Sequence, residues 1–152
     1  MSFQKAHQIS NELGEIIVQT GASQALNGGA ANVPFLFQPL IKNYRVLELG
    51  VVSVNDTTCT SAEVKFGFTN GGNEFVTDSE AFAFTTGSVG EIHSTSNGLS
   101  FNSGVGATGL DADGVPVLKK GQVLYFRSEG TATAATRVIA FARLAPIIEY
   151  KD

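Results

Sequence analysis

Tryptophan is absent from this chain, cysteine occurs once and histidine twice. Each scarcity removes a class of site. The single cysteine, Cys59, permits no intramolecular disulfide and no paired-cysteine metal motif, so the fold rests on packing. Cys59 itself reads as a small, semi-buried residue rather than a reactive thiol. His7 and His93 have no second histidine or cysteine beside them, which excludes a zinc spacing and leaves a cupin-type metal cluster without its ligands. Without tryptophan the usual platform for stacking sugars is missing, and Tyr44, Tyr125 and Tyr150 are the only substitutes.

Charge is scarce as well. Asp, Glu, Lys and Arg make up 16% of the 152 residues, against roughly 25% in an average soluble domain. The net charge is −4, and the basic residues stand singly except at Lys119-Lys120. Phosphate neutralisation needs clustered Lys and Arg, so nucleic acid is excluded as the main partner. No apolar run approaches the ~20 residues that span a bilayer as a helix. The opening Met1–His7 leads into no sustained apolar core, so no secretory leader is expected and the chain is expected to stay soluble in the cytoplasm that makes it.

The missing charge is replaced by Gly, Ser, Thr, Asn and Ala, a composition that suits strands and tight turns. In Glu63–Thr69, Val64, Phe66 and Phe68 share one face and Glu63, Lys65 and Thr69 the other, a period of two. Asn70-Gly71-Gly72-Asn73 then signals a turn, after which Phe75-Val76 resumes pairing. Tyr44–Val54 alternates until Val51, where the parity blurs and predicts a bulge or a stretch covered on both faces. Ala81–Thr86 alternates large with small residues. Turn signals recur every 8 to 12 residues or so, which favours an all-β antiparallel sandwich or barrel. Residues 44–152 form that domain on this reading. Residues 1–43 read as an extended amino-terminal segment holding a short helix over Phe3–Leu13, a strand over Gly14–Thr20, and a proline-bearing run, Val33–Leu40, confined to a sheet edge or coil.

The inventory of catalytic and metal motifs is thin. Asp111-Ala112-Asp113-Gly114 opens like a calcium loop, but the Val115–Leu118 that follows donates no side-chain oxygen, and a plain turn is the better reading. Asn27-Gly28-Gly29 and Asn70-Gly71-Gly72 match no phosphate-binding spacing. His93 lies in Glu91-Ile92-His93-Ser94-Thr95-Ser96, a polar stretch with no GxSxG elbow nearby. No catalytic residue, metal or cofactor is expected, and the chain reads as no enzyme.

Val123–Ser128 and Thr136–Leu144 read as two strands of a hairpin around a Gly/Ala/Thr-rich bend. The second is apolar on both faces at its centre: Ile139 and Phe141 share one face with Arg137 and Arg143, and Val138, Ala140, Ala142 and Leu144 form the other. A strand with one solvated side shows polar residues there. The alanine face is therefore covered, either by a second layer of the same chain or by a neighbouring subunit. The subunit alternative assigns Val138, Ala140, Ala142 and Leu144 to an oligomer interface.

Four passages, Tyr44–Val54, Val64-Lys65-Phe66-Gly67, Lys120-Gly121-Gln122-Val123-Leu124 and Arg137–Pro146, together resemble the decoration proteins that stabilise the heads of tailed bacteriophages. The resemblance covers roughly residues 44 to 146. It implies a jelly-roll-like β-sandwich, often trimeric, bound to the major capsid protein on the outer surface of a virion after assembly in the host cytoplasm. In that role Phe35 and Phe37 are the expected capsid contacts. The alternative is a fibre or receptor-binding module that recognises host glycan through loops between Gly87 and Gly114.

Overall fold

The computed structural model describes residues 14–26, 33–34, 42–56, 58–77, 82–84, 89–102, 109–110, 114–130 and 136–147. Among these the regular structure is entirely β. In chain order the strands are β1 (Ile16–Gln19), β2 (Gln24–Ala25), β3 (Val33–Pro34), β4 (Tyr44–Ser53), β5 (Cys59–Gly67), β6 (Phe82–Phe84), β7 (Ile92–Ser94), β8 (Val117–Leu118), β9 (Tyr125–Gly130) and β10 (Arg137–Pro146). The helix expected over Phe3–Leu13 lies outside the described residues.

Two antiparallel sheets form the sandwich. One runs β1-β10-β4-β7, with β2 beside β1 on β10 and β8 beside β7 on β4; the other runs β3-β9-β5-β6. Following the chain, β1 and β2 lie in the first sheet, β3 in the second, β4 in the first, β5 and β6 in the second, β7 and β8 in the first, β9 in the second and β10 in the first. This alternation between layers is the jelly-roll order. Strands on the amino-terminal side of residue 44 belong to the sandwich: Ile16–Gln19 pairs with Leu144–Phe141, and Val33-Pro34 with Phe126-Tyr125.

The alternation in the sequence maps onto inside and outside. Val64 and Phe66 of β5 and Phe126 of β9 point inward, while Glu63, Lys65 and Arg127 point outward. The predicted turn at Asn70–Asn73 forms, with Gly71 at φ 78° and Phe75 bonded back to Phe66 O at 3.0 Å. Glu74 closes this turn by accepting from Phe68 N at 3.1 Å and from the Thr69 hydroxyl.

Three features depart from the sequence reading. The bulge in β4 lies at Leu47-Glu48, where the register shifts against Arg143-Leu144, and not after Val51. β9 and β10 are not a hairpin: β9 pairs with β5 and β3, and β10 with β4, β1 and β2. The chain changes layers between them, because the inward side chains of each strand are buried against the opposite sheet. The third concerns β10 itself. Val138, Ala140, Ala142 and Leu144 are all 0% exposed and lie in the core between the sheets. The second layer of the same chain covers them, which removes them from any interface with a neighbour. The facing sheet contributes Phe66, Phe84 and Phe126 to the same core, all buried, and the small Ala140 and Ala142 suit a core that holds such rings.

Candidate interaction surface on the outer sheet face

Because the alanine side of β10 faces inward, its other side forms the outer surface of the sandwich. Antiparallel partners share a face, so the register gives the make-up of that surface row by row. Arg143 lies between Ile17 of β1 and Glu48 of β4; Phe141 lies between Gln19 and Gly50, with Ser94 of β7 beyond; Ile139 is next to Val52, with Ile92 beyond. Ile139, Phe141 and Val52 are half-buried at the centre. Around them stand the exposed large hydrophobic residues of the described chain: Ile17 at 68%, Val89 at 60%, Ile92 at 42% and Val54 at 37%. Val54 directly follows β4 and donates its N–H to Arg137 O, and Val89 precedes the Gly90 that bonds to Ser53 O. All four therefore border one sheet face. The opposite outer face, on β5 and β9, carries Thr60, Glu63, Lys65 and Arg127. Half-buried Tyr125 also lies on that face, but among the described residues the exposed large hydrophobic side chains all border the β10 sheet.

Ser94, Glu48, Arg143 and Arg137 on this side are tied into the chain. The Ser94 hydroxyl donates to Glu48 Oε1 at 2.6 Å. Arg143 holds Glu48 Oε2 through Nε at 3.4 Å and Glu15 Oε2 through Nη1 at 3.2 Å. The hydrogen bond to Glu15 is the main reason that the Arg143 pKa lies above its ordinary value; partial desolvation opposes it and the two carboxylate charges add to it. At the other end Arg137 donates from Nε to Ser23 Oγ at 2.8 Å and from Nη2 to Ser23 O at 2.6 Å. Gly50 lets β7 approach closely: a Cβ there would lie 2.5 Å from Ser94 Cβ and 2.7 Å from His93 O.

The residues singled out from the sequence are distributed as follows. His93 pairs with Val51 and points inward at the open side of the sandwich. Its ring stacks on Phe82 at 4.7 Å between centroids, meets Phe84 edge-on at 5.0 Å, and bonds Glu91 Oε1 through Nε2 at 3.0 Å. It thus links β7 of one sheet to β6 of the other, while the neighbouring Ser94 hydroxyl is bonded to Glu48. This is the geometry of an edge clasp, not of a nucleophile with its base. Cys59 is buried at 1% exposure, and Tyr44 is buried in the core. Phe35, Phe37, His7, Asp111, Asp113 and Tyr150 lie outside the described residues. Among the described residues no group of three or more His, Cys, Asp or Glu side chains is placed to hold a metal ion. No protein-family model matches the chain, and no curated protein or solved structure does so.

Sequence reasoning missed the Glu15–Arg143–Glu48–Ser94 network, whose members come from four strands or their flanks. It also left open what covers the alanine side of β10, and of the two alternatives the second layer of the same chain is the one found. The signal for which side faces inward was the arginine pair: Arg137 and Arg143 flank Ile139 and Phe141, and a guanidinium belongs on an outward face.

Proposed function

We propose that this chain is a non-enzymatic structural protein of a virion, a decoration protein that binds the outside of a phage head as a homo-oligomer and stabilises the shell. The observation that carries the reading is the one-sided distribution of apolar surface. A sandwich that concentrates Ile17, Val54, Val89 and Ile92 on one outer face, with Glu15, Arg143, Glu48 and Ser94 bonded among themselves, is suited to lasting contact with protein. The resemblance of Tyr44–Val54 and Arg137–Pro146 to decoration proteins supplies the shell as the setting. Phe35 and Phe37 remain the side chains proposed to touch the major capsid protein. Repetition over many equivalent positions on a shell turns modest single contacts into strong retention.

The test is co-sedimentation of the purified protein with heads assembled without it, followed by thermal disruption of those heads. Saturable binding and a higher disruption temperature are expected. Protein that stays in the supernatant and leaves the disruption temperature unchanged overturns the proposal.

A further inference from the structure

We propose that Asn70 is a site of spontaneous covalent modification, converting to aspartate and isoaspartate through a cyclic imide, and that the fold shields the equivalent Asn97 from the same fate. The site stands whether or not the chain binds a shell. Asn-Gly steps occur at Asn27-Gly28, Asn70-Gly71 and Asn97-Gly98; the first lies outside the described residues. Such a step is open to this chemistry because glycine places no side chain beside the backbone nitrogen that attacks. At Asn70 the Gly71 nitrogen bonds to Cγ and gives up its proton, the Cγ–Nδ2 bond breaks, and Nδ2 departs as ammonia. Water then adds to either carbonyl of the ring and opens it, leaving aspartate or isoaspartate. Nothing is oxidised or reduced, and solvent water is the only co-reactant.

The two described steps sit in opposite surroundings. Both asparagines are exposed, so hydrogen bonding, not access of water, separates them. Asn97 is held on every side. Its Nδ2 donates to Ile92 O at 2.8 Å, its N–H donates to Ser94 O at 2.8 Å, and its carbonyl accepts from Ser94 N at 3.0 Å. Beyond Gly98, Leu99 N donates to the same Ser94 carbonyl at 2.9 Å. Turning Cγ onto Gly98 N must break the side-chain bond within a peptide pinned at both ends. Asn70 has no such restraint: its side chain makes no hydrogen bond among the described residues. The bond that closes its turn runs from Gly72 N to Thr69 O at 2.8 Å and uses neither the Asn70 side chain nor the Gly71 N–H. Gly71 holds φ 78°, so the turn itself calls for the residue that makes the step reactive. The product places a second carboxylate in a turn that Glu74 already closes.

The experiment is a time course of the folded full chain in mildly alkaline buffer, with a parallel sample in concentrated urea. Peptide mapping by mass spectrometry follows each amide-to-acid change, and electron-transfer fragmentation separates isoaspartate from aspartate. In the folded chain Asn70 is expected to convert to both products, while Asn97 lags by about tenfold, the rate equivalent of one hydrogen bond that must break first. In urea the two are expected to convert at similar rates. Asn70 that stays an amide in the folded chain, or equal rates for the two asparagines there, overturns the proposal. So does aspartate without isoaspartate, which excludes the cyclic route. A lag of Asn97 that persists in urea overturns the shielding, because the fold is then not its cause.

Discussion

Leu144→Ala is the sharpest test of which side of β10 faces inward. Leu144 is 0% exposed, pairs with Ile16 on one side and Val46 on the other, and belongs to the core between the sheets. Truncation removes three carbons, a transfer loss of about 2.4 kcal/mol, and leaves a cavity in the most densely paired strand of the fold. Together the two effects should lower stability by about 3 kcal/mol. For a chain of this size that corresponds to a fall of roughly 6 to 12 °C in Tm. Urea unfolding followed by circular dichroism measures it, with an unchanged slope expected because the surface exposed on unfolding barely changes. Ile17→Ala is the control; at 68% exposure it should alter stability by no more than about 0.5 kcal/mol. A loss below about 1 kcal/mol for Leu144→Ala, accompanied by a change in oligomer mass, would mean that the alanine-bearing side is an interface after all.

Other perturbations probe single contacts. Gly50→Ala drives a methyl group into Ser94 and the His93 carbonyl; a loss of about 1–3 kcal/mol is expected, with faster amide exchange confined first to Ile92–Ser94. His93→Ala removes a stacked and an edge-on aromatic contact, and thermal melting should report a loss of about 2 kcal/mol. Ser61 adopts φ 54° beside the β5 bulge, so Ser61→Gly should raise stability by about 0.5 kcal/mol, whereas Ser61→Val should lower it by more than about 1 kcal/mol. Equal effects of the two substitutions in a urea titration would refute the left-handed backbone at this position.

The strands were readable where one face is clearly wet. Glu63 and Lys65 mark the outside of β5, and the glycines and asparagines of residues 70–73 mark its turn; both form, although the strand runs Cys59–Gly67 rather than to Thr69. β10 was ambiguous because each of its faces is apolar at the centre, and alternation alone cannot rank Ala140 and Ala142 against Ile139 and Phe141. What settles the matter is the layer opposite. Val138, Ala140, Ala142 and Leu144 share one buried core with Phe66, Phe84 and Phe126 of the facing sheet, whereas Ile139 and Phe141 stay half-buried. The outer-face network was invisible for another reason: Glu15 and Arg143 meet across 128 positions, and no local pattern encodes such a meeting. The same holds for β9 and β10, whose adjacency in the sequence suggested a hairpin that burial against opposite sheets forbids.

The position of β10 has a further consequence for how the molecule comes into being. It is the strand to which β1, β2 and β4 all bind, so until residues 137–146 emerge from the ribosome the first sheet has flanks and no middle. Bringing Ile16 to Leu144 closes a loop whose entropy alone opposes folding by about 4 kcal/mol, which places maturation among the slow, non-local β topologies. During that wait the open backbone of β4 invites mispairing. A nascent chain stalled before residue 137 should therefore aggregate or engage a chaperone, while release of the segment that carries β10 should let it fold in a single cooperative step.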